Sequence, residues 1–122
     1  MFEDSIQLIE MPEHDAVSVC VYNEHDDLFA LGERINARFE EAYMNGYNWD
    51  ALIRFFVGRA DAELMAEVET DPEAGMFSAY LSHSPENVAK MKRFEAHVRS
   101  MLQDEDALMA LISENRDRIE WD

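Results

Sequence analysis

Residues 16–35 read AVSVCVYNEHDDLFALGERI, and inside this stretch the spacing of the apolar side chains changes from every second position to every third or fourth. Successive side chains of an extended chain alternate between two faces, so Val17, Val19 and Val21 share one face while Ser18, Cys20 and Tyr22 take the other. From Asp26 onward Leu28, Leu31, Ile35, Phe39 and Ala42 recur at helical spacing, with Asp26 and Asp27 at the favourable positive end of the helix dipole. One strand and one amphipathic helix in direct succession predict an α+β chain.

Working outward gives the other elements. Ser5 to Glu10 is a second β-like run, and the turn-rich Met11 to Asp15 joins it to Ala16 to Tyr22 as a hairpin. The first helix is predicted over 27–43 and stopped by Asn45-Gly46, since both residues tolerate left-handed backbone. Asn48 is the predicted cap of a second helix that carries Leu52, Ile53, Phe55, Phe56 and Val57 and closes at Gly58, with a short helix over 61–67 after it. Residues 68–82 read as strand, turn, strand: Pro72 presets φ, Gly75 is free to take positive φ, and Phe77, Ala79 and Leu81 alternate onto one face. Ser84-Pro85-Glu86 starts a helix that turns Val88, Met91, Phe94, Val98 and Met101 inward. Asp104 restarts the last helix through Leu108, Leu111 and Ile112, leaving Trp121 on an end expected to be mobile.

No repeat, linker or low-complexity tract breaks this order, so residues 1–122 are predicted to form a single domain. The expected architecture is a small, mainly antiparallel sheet of two hairpins, with strands at 5–10, 16–22, 67–70 and 76–82, packed on one face against several helices. Val19, Val21, Leu31, Ile35, Phe39, Phe56, Phe77, Leu81 and Met91 are its predicted core.

The chain holds 10 Lys and Arg against 27 Asp and Glu, a formal net charge of −17. Nucleic acid and anionic membranes reward clustered Lys and Arg and are therefore poor partners, whereas basic proteins are good ones. Maintaining solubility is the competing use of such charge. The single cysteine, Cys20, lies in an apolar strand run and reads as a buried thiol. No run approaches the roughly 18 apolar residues of a membrane span, and no leader precedes the first strand, so a cytoplasmic protein is expected.

Catalysis needs a nucleophile with its base, a metal set, or carboxylates tuned apart. Among 27 acids chance pairs are unavoidable and carry no information. His14, His25, His83 and His97 are widely separated, the alternating Glu69, Asp71 and Glu73 lack the calcium-loop pattern, and the four glycines are scattered, so neither metal nor cofactor nor enzymatic activity is expected.

Two segments stand out. Tyr43-Met44-Asn45-Gly46-Tyr47-Asn48-Trp49-Asp50 sets three aromatics around a helix–helix turn, where small polar residues are usual. Such aromatics among asparagines are either a binding hot spot or a plug for the core. Asp71-Pro72-Glu73-Ala74-Gly75-Met76-Phe77 reads plainly as a tight turn entering a core strand. Together they resemble the immunity protein 51 family of bacterial polymorphic toxin systems, which carries an Asn-Gly-Tyr-x-Trp block at a helix start and an Asp-Pro-Glu-Ala-Gly-Met-Phe block entering a strand. Here the blocks are Asn45 to Trp49 and Asp71 to Phe77, and the resemblance extends over nearly the whole chain. Met44 stands where the family has a small residue and Thr70 where it has an aromatic.

The resemblance implies a cytoplasmic antidote that binds and neutralises a cognate toxin, and a basic toxin domain suits the charge. With the turns as the interface, the expected contact residues are Asp26, Asp27, Asp50, Asp71 and Glu73, with Tyr47 or Trp49 as aromatic anchor. Residues 84–100 carry Lys90, Lys92, Arg93 and Arg99 against Glu86 and Glu95, so the toxin is expected to dock away from that helix. The alternative, an acidic mimic of DNA or a regulatory inhibitor of a nucleic-acid enzyme, needs a regular double row of carboxylates, whereas the acids here are spread over 1–83 and 104–122.

Overall fold

A computed structural model describes residues 2–122. Four strands, β1 (Ile6–Met11), β2 (Ala16–Val21), β3 (Glu69–Pro72) and β4 (Phe77–Leu81), form one antiparallel sheet in the order β1-β2-β4-β3. Five helices, α1 (Asp26–Arg38), α2 (Gly46–Ala60), α3 (Ala62–Glu67), α4 (Pro85–Gln103) and α5 (Glu105–Asn115), complete it. The two hairpins lie side by side because β2 pairs with β4, in a register that sets Val19 opposite Ala79 and Val21 opposite Phe77.

That register sorts the sheet into two faces. Ile6, Val17, Val19, Val21, Phe77 and Ala79 join one core cluster with Leu28, Leu31 and Ile35 of α1, Leu52, Ile53 and Val57 of α2, and Met91, Phe94 and Val98 of α4. The alternate residues Gln7, Ile9, Ser18, Cys20, Ser78 and Tyr80 lie outside that cluster. Phe39 and Met91 are buried as expected, but Leu81 and Phe56 are only half-buried. Leu81 is the last residue of its strand, where the sheet runs out. Phe56 rides the shoulder of α2, since at 100° per residue the deep stripe runs through Trp49, Ile53 and Val57.

Helix ends differ from the sequence reading more than strands do. α1 stops at Arg38 because Phe39 turns extended (φ −129°, ψ 100°), and Asn36 Nδ2 donates to the Phe39 and Glu40 carbonyls just beyond the helix end. Phe39 and Ala42 still point inward, so the apolar rhythm outlasts the helix. The cap of α2 is Asn45, whose side chain accepts from the Asn48 amide, and α2 continues through Gly58 to Ala60. Asn48 instead donates to the Tyr43 carbonyl and accepts from the Asp122 amide. The carboxyl-terminal end is thereby tied down, and Trp121 packs against the core rather than trailing free. Asp61, Ser84 and Asp104 cap α3, α4 and α5 through their side chains.

Candidate functional site: an acidic junction of three turns

The β3–β4 turn folds across the start of α2. Glu73 N–H donates to the Met76 carbonyl, closing the turn, and the Ala74 carbonyl accepts from both the Gly46 amide (2.9 Å) and Asn23 Nδ2 (3.1 Å). This single carbonyl joins the β2–α1, α1–α2 and β3–β4 connections. The approach at Gly46 leaves no room for a side chain: a Cβ there overlaps the Glu73 carbonyl oxygen and lies 2.5 Å from that of Met76. Gly75 has negative φ, contrary to the sequence expectation, and lies beneath the exposed Glu24 carboxylate, 2.5 Å from where its Cβ would be. Gly32 lets α1 approach the α1–α2 loop, with a Cβ placed 3.0 Å from Met44 Cβ.

Between α1 and these turns lies a groove of about 450 Å³ lined by Asn23, Glu24, Phe29, Glu33, Tyr43 and Met44, among others. Tyr43 (68% exposed) and Phe29 (49%) are, with Tyr47, the large apolar side chains most open to solvent among the described residues. Asn23 is only 3% exposed, and with its Nδ2 on Ala74 its buried Oδ1 has no hydrogen-bond partner. Groove and turns thus combine aromatic surface, carboxylates and an unsatisfied amide oxygen.

The charge around this junction is uncompensated. No Lys or Arg occurs among residues 1–33 or 60–89. Asp26, Asp27, Glu24, Glu33, Asp71 and Glu73 are exposed, and none is in an ion pair among the described residues. Most of the bases are engaged elsewhere, among them Arg34 with Glu105 (2.8 Å), Arg93 with Asp61 (2.7 Å), Lys90 with Glu67 (2.9 Å) and Arg116 with Glu41 (2.7 Å). The Arg116 guanidinium holds the Glu41 carboxyl down to about 2, and Arg93 followed by His97 lowers that of Asp61.

Of the seven residues expected at an interface, Asp26, Asp27, Tyr47, Asp71 and Glu73 are exposed at or beside the junction. Trp49 is not: it is fully buried (0% exposed), because it lies at i, i+4, i+8 with Ile53 and Val57 on the core-facing stripe of α2. Asp50 is buried too and bonds Arg54 one helical turn on (3.2 Å). Phe29, Tyr43, Glu24, Glu33 and Asn23 were not among the expected contacts. Phe29 had a signal, as a large apolar residue off the Leu28, Leu31, Ile35 stripe.

The sequence model described as immunity protein 51 matches residues 6–117. The chain belongs to the immunity protein 51 family. No curated protein and no solved structure matches it. Both motif blocks of this immunity protein 51 chain therefore meet physically, Gly46 of the first bonding Ala74 of the second. They build the junction more than they face solvent. Among the described residues no three His, Cys, Asp or Glu side chains converge as a metal site, and no helix is long and apolar enough to cross a membrane. Burial pushes the Cys20 thiol up, the opposite of the shift that makes a nucleophile.

Proposed function

We propose that this chain is a cytoplasmic immunity protein that neutralises its cognate toxin by stoichiometric occlusion of the toxin's active site, without catalysis of its own. The observation that carries the reading is the separation of charge: the unpaired carboxylates of Glu24 and Glu33 line an aromatic-edged groove, while most bases are held in ion pairs elsewhere. A basic toxin domain is steered to such a surface, and steering raises association toward about 10⁸ M⁻¹s⁻¹ at low salt. Asp26, Asp27, Asp71 and Glu73 form the charged rim, and Tyr47 contributes contact area beside them. Neither nucleic acid nor membrane is a partner in this reading, since both demand basic patches.

The test is stopped-flow binding to the toxin domain encoded beside this chain, at two salt concentrations. Asp26→Asn, Asp27→Asn, Asp71→Asn and Glu73→Gln combined should slow association about tenfold at low salt and flatten its salt dependence, leaving dissociation nearly unchanged. Neutralising Lys92 and Arg99 should do neither. An association rate indifferent to salt and to the four acids overturns the charged rim, and a chain that neither binds the toxin nor protects cells from it overturns the function.

A further inference from the structure

The groove beside the junction carries carboxylates and aromatic rings but no basic side chain. Glu24 and Glu33 line it with carboxylates that have neither ion pair nor hydrogen bond among the described residues, and no Lys or Arg lines it. The exposed rings of Phe29 and Tyr43 supply apolar walls. Asn23, almost wholly buried, also lines the groove, and its amide oxygen has no partner among the described residues. At about 450 Å³ the groove lies in the range of sites that take a small molecule or one long side chain, and is too small for a helix.

From this geometry we infer that the groove receives one arginine side chain of the toxin, a proposal that rests on the toxin-binding reading above. A guanidinium answers every feature at once. Its positive charge answers the free carboxylates, its planar face stacks on aromatic rings, and its five donors are enough to serve both carboxylates. A lysine ammonium is more strongly hydrated and has no planar face to stack, so it is discriminated against. Buried arginine is also among the residues that dominate the energetics of protein interfaces. Recognition is thus divided: the exposed acids steer, and the groove anchors.

Two arms test this. In the first, the full chain labelled with ¹⁵N is titrated by NMR with N-acetylarginine amide, its neutral isostere N-acetylcitrulline amide, and N-acetyllysine amide. The arginine compound should shift the Asn23 side-chain amide and the Gly32 backbone amide saturably, the citrulline compound should not, and lysine should bind at least about fivefold more weakly. Glu24→Gln with Glu33→Gln should weaken arginine about tenfold; both side chains are exposed and unpaired, so the fold is retained. Shifts that fail to saturate by about 50 mM, that citrulline reproduces, or that survive the double substitution overturn the proposal. In the second arm the same variant and Tyr43→Ala are tested against the neighbouring toxin domain. Dissociation should accelerate about tenfold or more in each. Wild-type binding with less than about a twofold effect of either variant refutes the groove and leaves the immunity function standing, whereas absence of wild-type binding refutes the function itself.

Discussion

The turn junction and the α3–α4–α5 side of the molecule have the same kinds of residues and use them in opposite ways. Along the helices, charge is internal: Asp61 and Glu67 of the α3 region bond Arg93 and Lys90 of α4, and Glu105 of α5 reaches Arg34 of α1. At the junction, charge is left open, and the structure is held by backbone contacts, with Gly46 and Asn23 both on one carbonyl. An overall charge of −17 therefore says little about where a partner is attracted. What matters is which acids lack a neighbour of opposite sign.

The first way to break the comparison is to disturb each side's own scaffold. Phe77→Ala empties a fully buried site beneath both regions and should cost about 3 to 5 kcal/mol in urea denaturation. Gly46→Ala should approach that, at roughly 3 kcal/mol, because its Cβ collides with backbone rather than with a side chain that can swing away. Gly58 is the matched control within the same helix. Its Cβ meets nothing closer than Met65 Cγ at 3.9 Å, so Gly58→Ala should stabilise the protein by about 0.5 to 1 kcal/mol. Equal losses at Gly46 and Gly58 would show that the junction is no tighter than an ordinary helix.

How legible these features were in the sequence depends on the range of the interaction behind them. β2 and β4 came within a residue of their predicted bounds because alternation reports burial directly, and Ser84 was readable as a cap from its own neighbours, whereas Asp61, expected as the first residue of its helix, caps it instead. The end of α1 was hidden since Phe39 and Ala42 stay on the helical rhythm after the backbone leaves it. The direction of Trp49 was left undecided although its spacing to Ile53 and Val57 places all three on one helix face, while the cap of α2 was misplaced by three residues. The groove was beyond reach, because it joins Asn23 and Glu24 to Phe29, Tyr43 and Ala74 through a carbonyl contact that no local pattern records.

A smaller effect sharpens the electrostatic half of the comparison. Arg93→Ala removes a partner of Asp61 on the helical side, yet a solvent-screened pair of this kind contributes little to stability. Raising sodium chloride should nevertheless stabilise the wild type, since the dominant long-range term is repulsion among unpaired acids. If salt destabilised the protein instead, the ion pairs would outweigh the open charge of the junction.

The smallest effect is the one most specific to a single contact. Arg116 holds the Glu41 carboxyl at about 2 in the folded protein, against an ordinary value of 4.5. A carboxyl lowered by folding adds stability that is fully present above its unfolded value and is lost as pH falls through the folded one. The difference in urea midpoint between wild type and Glu41→Gln should therefore be constant above about pH 5, favour the wild type, and shrink progressively toward pH 2. Glu33→Gln at the junction reverses the sign at neutral pH: it breaks no bond and lowers an excess of negative charge, so it should stabilise slightly. Equilibrium unfolding of the two variants between pH 2 and pH 7 separates a carboxylate used within the fold from one left free for a partner. Two parallel profiles would mean that the distinction between the regions has no energetic content.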